Sequence, residues 1–389
     1  MTPQAERRDI GLLAAGTLVS VAGDSAAMVA LLLELRTSGV GWISAALGAE
    51  LLPFVLLASF SGRLVDRVDN RRLLVIALAG QALVAVPLAF ARTPWLIVAL
   101  FFALNAISTM VRPAVSAMVP AISGEDSATT AFTWIATGGG IGWIIGPAMG
   151  GLLDSAFGFT TTLCVDAASF VLIAVACRML SLTRRPDPDA AEPDQPVHGG
   201  MRIIWRDTVL RWSMLTTTIA ITCAVVDNVA APFRFINQLG TTSAGFGIYL
   251  AVWGVGGLAG SQLPRRLSAS TMPTTLAIGN GLSGLGIFGI GLAPSLGVAL
   301  AASVVGGIGN GIANVSQSAL VASRVAPDER GRAFASVGAT IQTGIGVGTV
   351  AGAPIVAAIG AGHAMTAAGG LAAVLAAATA GWMVTRGSG

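Results

Sequence analysis

The chain has 389 residues, of which 54% are hydrophobic and 11% charged, with 50 glycines and a mean hydropathy of +0.78. That balance excludes an ordinary soluble domain and implies an integral membrane protein. The net charge of +3 rests on 22 arginines, with no lysine, against 19 acids; these arginines flank apolar runs and form no stripe with interleaved aromatics, which excludes nucleic acid as a partner.

A crossing of a hydrocarbon core about 30 Å thick needs roughly 20 apolar residues in a helix. On that measure spans fall at 10–33, 40–62, 73–91, 95–118, 127–153 and 159–181, then at 209–235, 243–263, 272–293, 296–320, 333–359 and 362–384. The first follows Arg7 and Arg8 but is too long for the apolar core of a signal peptide and is followed by further spans, so it is expected to stay uncleaved. With the N-terminus inside, arginines from Arg7 and Arg8 through Arg178, Arg324 and Arg386 fall on the cytoplasmic side, and Arg36, Arg92 and Arg234 fall outside. The positive-inside rule therefore predicts cytoplasmic N- and C-termini.

Span one carries Asp24 about halfway along, directly after Gly23. A carboxylate in hydrocarbon is expensive, so it reads as a group that takes up and releases a proton, with a structural carboxyl bonded to a neighbouring helix as the alternative. Glu50, near the middle of span two, is a second candidate. The turn after span two reads Gly62-Arg63-Leu64-Val65-Asp66-Arg67-Val68-Asp69-Asn70-Arg71-Arg72. Here Gly62 permits a close turn, Asp66 caps a helix or pairs with an arginine, the arginines anchor the cytoplasmic side, and Asn70 tolerates left-handed backbone.

In span four Arg112, before Pro113, is the main cation inside the membrane, expected to pair with Asp24 or to anchor the cytoplasmic end. Span five contains Gly142-Trp143-Ile144-Ile145-Gly146-Pro147-Ala148-Met149-Gly150-Gly151. Glycines four apart share one face, where a neighbouring backbone can approach closely, and Pro147 removes a hydrogen bond and adds a bend. Trp134, Trp143 and Phe132 are candidates for an aromatic wall, whereas Asp154 and Asp166 read as caps or rim groups near the outer surface. Residues 182–208 form a proline- and acid-rich cytoplasmic linker, too polar to fold alone, with Met201–Asp207 either lying on the membrane surface or extending the seventh span.

The second half repeats the first. Gly142, Gly146 and Gly150 map onto Gly344, Gly348 and Gly352, and Ala131-Phe132 onto Ala333-Phe334, all by one shift, while Asp24 maps onto Asp227. Two copies with an even number of spans insert in the same direction, which predicts parallel six-helix bundles over 1–181 and 209–389. Asp227 thus joins Asp24 and Glu50 as a proton-coupling candidate. Asn105, Asn228, Asn310, Asn314, Gln317 and Gln342 are amides inside spans, expected to face protein or a water-filled cavity. The string Gly254-Val255-Gly256-Gly257-Leu258-Ala259 lies in an apolar span with no preceding strand, so the dinucleotide reading is discarded. Cys164, Cys177 and Cys223 stand singly, and His198 and His363 are far apart, so neither disulfide nor metal is expected.

Two of these segments resemble the major facilitator superfamily, and specifically its bacterial twelve-span drug and metabolite exporters. The turn at Gly62–Arg72 is similar to that family's Gly-x-Leu-x-Asp-Arg-x-Gly-Arg-Arg loop, with Asp69 and Asn70 as departures. The span-five segment resembles the antiporter pattern Gly-x-x-x-Gly-Pro-x-x-Gly-Gly at Gly142, Gly146, Pro147, Gly150 and Gly151. The resemblance implies an all-α fold of twelve transmembrane helices in two six-helix bundles related by pseudo-two-fold symmetry, with gating by Gly62, Asp66, Arg67 and Arg71. It also implies that the glycine face lets the halves rock in alternating access, a role that does not exclude close packing. The family's usual span-four arginine is missing near Asn105.

The function expected is proton-driven export of hydrophobic or amphipathic small molecules. Dedicated export of a siderophore or other metabolite, or uptake by symport, uses the same parts. A non-transporting scaffold ranks last, and with no nucleophile–histidine pair or phosphate loop an enzyme is not expected. The partners expected are the lipid bilayer, a small-molecule substrate and protons, with no cofactor, for a chain acting as a monomer.

Overall fold

In lipid every backbone N–H and C=O must be satisfied within its own segment, so long apolar runs become helices. The computed structural model describes residues 3–181, 200–264 and 267–387, and among them all regular structure is helical. The long elements are α1 (Pro3–Arg36), α2 (Val40–Val65), α3 (Asn70–Phe90), α4 (Pro94–Ser108) and α5 (Val111–Arg178). After the short α6 (Gly200–Arg206) come α7 (Thr208–Pro232), α8 (Ser243–Gly260), α9 (Met272–Leu292), α10 (Leu296–Arg324), α11 (Arg330–Ile359) and α12 (Ala361–Gly387). Among the described residues 11 helical stretches are long and apolar enough to cross a bilayer by length and composition. One of them, Ser127–Arg178, leaves helical geometry at Gly158 (φ 80°, ψ 175°) and therefore supplies two crossings, which brings the count to twelve.

The breaks in α5 lie at Gly124 (φ 70°) and Gly158, positions in the left-handed region where a side chain would be strained. The helix keeps helical φ/ψ through Pro147, so the chain direction changes at the glycines. The linker residues 182–199, including His198, and the arginines at 265–266 lie outside the described residues. Of the linker's end, 200–206 is helical and Asp207 caps α7 by accepting the Val209 and Leu210 backbone N–H groups.

The chain divides into two compact units, Met1–Pro193 with Thr242–Ala251, and Asp194–Thr241 with Val252–Gly389. In the first, the glycine ladder of α5 packs on α1 in register. A methyl group on Gly138 would lie 2.5 Å from the Ala14 carbonyl oxygen, on Gly142 2.6 Å from that of Leu18, and on Gly146 2.6 Å from that of Ala22. Gly150 would meet Ala26 Cα at 2.5 Å. Both rows step by four residues, the spacing of one helix face. Gly151 belongs to a different contact, against Ser243 and Gly247 at the start of α8.

The second unit repeats the clamp with α11 on α7. There a methyl on Gly344 would lie 3.0 Å from the Thr218 carbonyl oxygen, on Gly348 2.7 Å from that of Thr222, and on Gly352 2.8 Å from the Val229 side chain. At the end of α7 a π-turn over Phe233–Gln238 presents Arg234, which donates to the Ile290 carbonyl at 3.2 Å and the Ala293 carbonyl at 2.5 Å. Those groups close the C-terminus of α9, where a cation complements the helix dipole. All three cysteines are free.

Candidate functional site

Leu12, Gly16, Ser20, Asp24 and Met28 recur four apart on α1, and this face lines a cavity of ≈ 680 Å³ inside the first unit. Its wall is mainly apolar. Polar groups enter it from α2 (Glu50), α4 (Asn105 and Ser108) and separate stretches of α5 (Arg112 and Asp166). The volume and composition suit a small organic molecule with an apolar body.

Asp24 and Glu50 are thus brought together, with Asp166 as a third carboxyl that sequence placement by linear depth put at the outer rim. That placement is corrected: Asp166 is 2% exposed and lines the cavity. It stands eight residues into the helix that restarts after Gly158, about 12 Å along at the usual rise per residue. The signal that could have found it is the small residue opposite, Gly23, against whose backbone the Asp166 carboxyl packs. Asp24 is within electrostatic reach of both Glu50 and Asp166 and accepts a long 3.5 Å hydrogen bond from Ser20. Glu50 is exposed, lining the cavity beside Phe54.

Arg112 lines the same cavity, is exposed, and makes no ion pair within 4 Å to Asp24 among the described residues. Asn105 is buried and spends its amide N–H on the Phe101 carbonyl at 2.9 Å. Trp134, 61% exposed, is not in the wall, whereas Phe132 and Trp143 are. Phe132, Ile135, Ala136, Gly139 and Trp143 follow helical spacing, and a residue two positions from Phe132 points away from that face.

The other amides and Asp227 lie in the second unit. Asp227 is 3% exposed on α7 and Asn228 beside it is exposed. On α10 Asn314 donates to the Asn310 carbonyl and Oδ1, both at 3.0 Å, and Gln317, one turn on, is buried with no partner for its Nε2 among the described residues. Gln342 is half-buried on α11. The structure places these on one unit and Asp24, Glu50 and Asn105 on the other.

The turn after α2 is built differently from its sequence reading. Gly62 is inside α2, with nothing within 4 Å of a would-be methyl, so the reversal comes later. Asp66 forms the C-terminal boundary of α2, and its side chain and that of Arg67 are exposed. The capping role falls to Asp69, whose carboxylate accepts the Arg71 N–H at 3.0 Å and the Arg72 N–H at 3.1 Å. Asn70 is not left-handed, since no residue other than glycine has positive φ among the described residues. It begins α3, is fully buried, and turns its amide nitrogen to the Val65 (2.7 Å) and Val68 (3.2 Å) carbonyls. Arg71 donates to the Arg178 carbonyl at the end of α5, beside which Arg8 donates to the Met179 carbonyl at 3.1 Å and the buried Asp9 accepts the Ser181 N–H at 2.7 Å.

In the second unit Asp207 is bound by Arg324 at 2.9 Å. Burial acts to raise its carboxyl, but the Leu210 N–H, the Arg324 guanidinium and the Val209 N–H together hold it below the ordinary value.

Comparison with known proteins agrees with this architecture. A family model described as Major Facilitator Superfamily matches residues 13–293. The multidrug efflux pump Tap of Mycobacterium tuberculosis is 27% identical over 355 residues, covering 82% of this chain and 80% of that protein. The multidrug resistance protein MdtG of Salmonella newport is 31% identical over 121 residues, covering 31% and 30%. Among solved structures, the nucleoside transporter NupG aligns with a TM-score of 0.77 at 14% identity, over 95% of this chain and 98% of that one. A bacterial homologue of the lysosomal transporter Spinster aligns at 0.72 and 13% identity, over 100% and 96%.

Proposed function

The chain belongs to the Major Facilitator Superfamily, and from that footing we propose that it exports hydrophobic or amphipathic small molecules in exchange for protons. It is a multi-pass membrane transporter and not an enzyme. The observation that carries the proposal is the ≈ 680 Å³ cavity, whose mainly apolar wall holds Asp24, Glu50 and Asp166 together. The apolar wall receives the body of the substrate, and the carboxyls bind and release the coupling proton, Asp24 first among them because it projects from the cavity-lining row of α1. The efflux activity named for the Mycobacterium relative supports export as the direction.

The cavity opens alternately to each side of the membrane, with the turn at Gly62–Arg72 as its cytoplasmic latch. Both termini face the cytoplasm, on the arginine distribution, and the working form is a monomer. The two expected bundles, 1–181 and 209–389, are the moving bodies.

The test is reconstitution of the purified chain into proteoliposomes with an imposed proton gradient and a panel of dyes and antibiotics. The expected result is dye movement against its gradient coupled to proton movement, abolished by Asp24→Asn with protein levels intact. Undiminished coupled transport in Asp24→Asn removes Asp24 from the mechanism, and failure of every compound to move protons removes antiport.

A further inference from the structure

We propose that Asp24 and Asp166 act as one two-carboxyl proton site between the first and sixth spans, with Gly23 as the positioning residue that lets Asp166 reach it. For its consequence in transport this rests on the antiport reading above.

Asp166 is buried, and its Oδ1 accepts no hydrogen bond among the described residues. Its carboxyl lies on the backbone of α1: a methyl on Gly23 would sit 2.5 Å from that Oδ1 and 2.9 Å from Ser169 Oγ. Ser169 gives its hydroxyl to the Asp166 backbone carbonyl at 2.7 Å. Gly23 and Asp24 are consecutive, so Asp166 docks on the turn of α1 that bears Asp24, and both acids line one cavity. A carboxylate oxygen buried without a donor forfeits its hydration for nothing. A proton on the carboxyl removes that deficit.

The other ionisable groups in the cavity wall are Glu50 from α2 and Arg112 and Cys177 from α5, while α3 and α4 contribute none. Arg112 makes no ion pair with these carboxyls among the described residues. With every acid ionised, one guanidinium would stand against three negative groups within an apolar wall. Neighbouring carboxylates disfavour joint ionisation, and such a pair takes up its protons in two steps that belong to the pair. The proton arrives from water on the side to which the cavity is open, rests as O–H on a carboxyl oxygen, and leaves to water on the other side. A cationic occupant satisfies the same excess of negative charge and displaces it.

The experiment is infrared difference spectroscopy on the purified full chain, titrated through neutral pH without any substrate, reading the C=O stretch of protonated carboxyl groups. A band titrating in two steps is expected, of which Asp24→Asn and Asp166→Asn each keep one step with a shifted midpoint, whereas Glu50→Gln keeps both. Gly23→Ala keeps every carboxyl but pushes Asp166 away, so it is expected to shift the titration midpoint; it also serves if Asp166→Asn does not fold. In proteoliposomes Asp166→Asn should lose ethidium-linked proton movement. A band unaltered in Asp166→Asn, or an unshifted midpoint in Gly23→Ala, overturns the proposal even where antiport holds. If the unsubstituted chain moves no protons with ethidium or any other dye, antiport fails, and the infrared band still decides the pair.

Discussion

Gly146 and Ala22 meet backbone to backbone: a methyl on Gly146 would stand 2.6 Å from the Ala22 carbonyl oxygen and 3.0 Å from its Cα. Neither helix backbone can give way as a side-chain tip would. Gly146→Ala is therefore expected to cost about 1–3 kcal/mol, the usual range for overpacking, seen as a lower melting temperature of the detergent-solubilised protein. Gly140, two residues from Gly142, has nothing within 4 Å, so Gly140→Ala should stabilise by about 0.5–1 kcal/mol through helix propensity. Equal melting of the two variants would show that the α1–α5 contact does not depend on the missing side chains.

Asp69 stands where the family's loop pattern has glycine, and it caps α3 through two backbone N–H groups. Removing such a cap costs about 1 kcal/mol for alanine but only a few tenths for glycine. The expected order of thermal stability is wild type, then Asp69→Gly, then Asp69→Ala. If alanine proves no worse than glycine, the carboxylate is not acting as a cap.

Much of the fold was legible because lipid simplifies the code: apolar length alone gives the crossings, and the four-residue glycine rows give the partner faces. The expected span 40–62 is the helix Val40–Val65, and 272–293 is Met272–Leu292. The breaks in α5 were not visible, since Gly124 and Gly158 are two among 50 glycines and only coordinates show which have positive φ. The candidate site was half legible. Asp24 and Glu50 were readable as acids in hydrocarbon, but depth along a span says nothing about azimuth. Linear position therefore puts Asp166 at the rim, and Trp134 in a wall it does not join. In the loop, Asp66 and Asp69 are three residues apart, and which one caps depends on where α2 ends.

The Asp207 carboxyl couples two elements of the second unit, as N-cap of α7 and partner of Arg324 on α10. Its folded value lies below the unfolded one, so its stabilisation is complete above the unfolded value, about 3.9, and fades as pH falls through the folded one. Asp207→Ala is expected to cost roughly 0.5–2 kcal/mol near neutral pH, mostly as the lost cap, since a partly exposed ion pair adds only about 0.2–1 kcal/mol. The stabilities of wild type and variant should converge on acidification, measured as melting temperature against pH. A gap that stays constant down to strongly acidic pH would show that the charge of Asp207 contributes nothing.

Deeper in the same unit, Asn280 on α9 donates to Thr217 Oγ1 on α7 at 3.0 Å, and both residues are buried. Hydrogen bonds between helices in lipid have measured strengths of about 0.6 kcal/mol on average and at most about 1.7 kcal/mol. A single substitution also strands the partner's polar group, so Thr217→Val and Asn280→Leu should each destabilise. Their combination should lose less than the two losses added together, because the double variant strands neither group. A coupling near 0.6 kcal/mol by the double-mutant cycle is the expected outcome. Strictly additive losses would mean that the Asn280 amide finds another acceptor when Thr217 is gone.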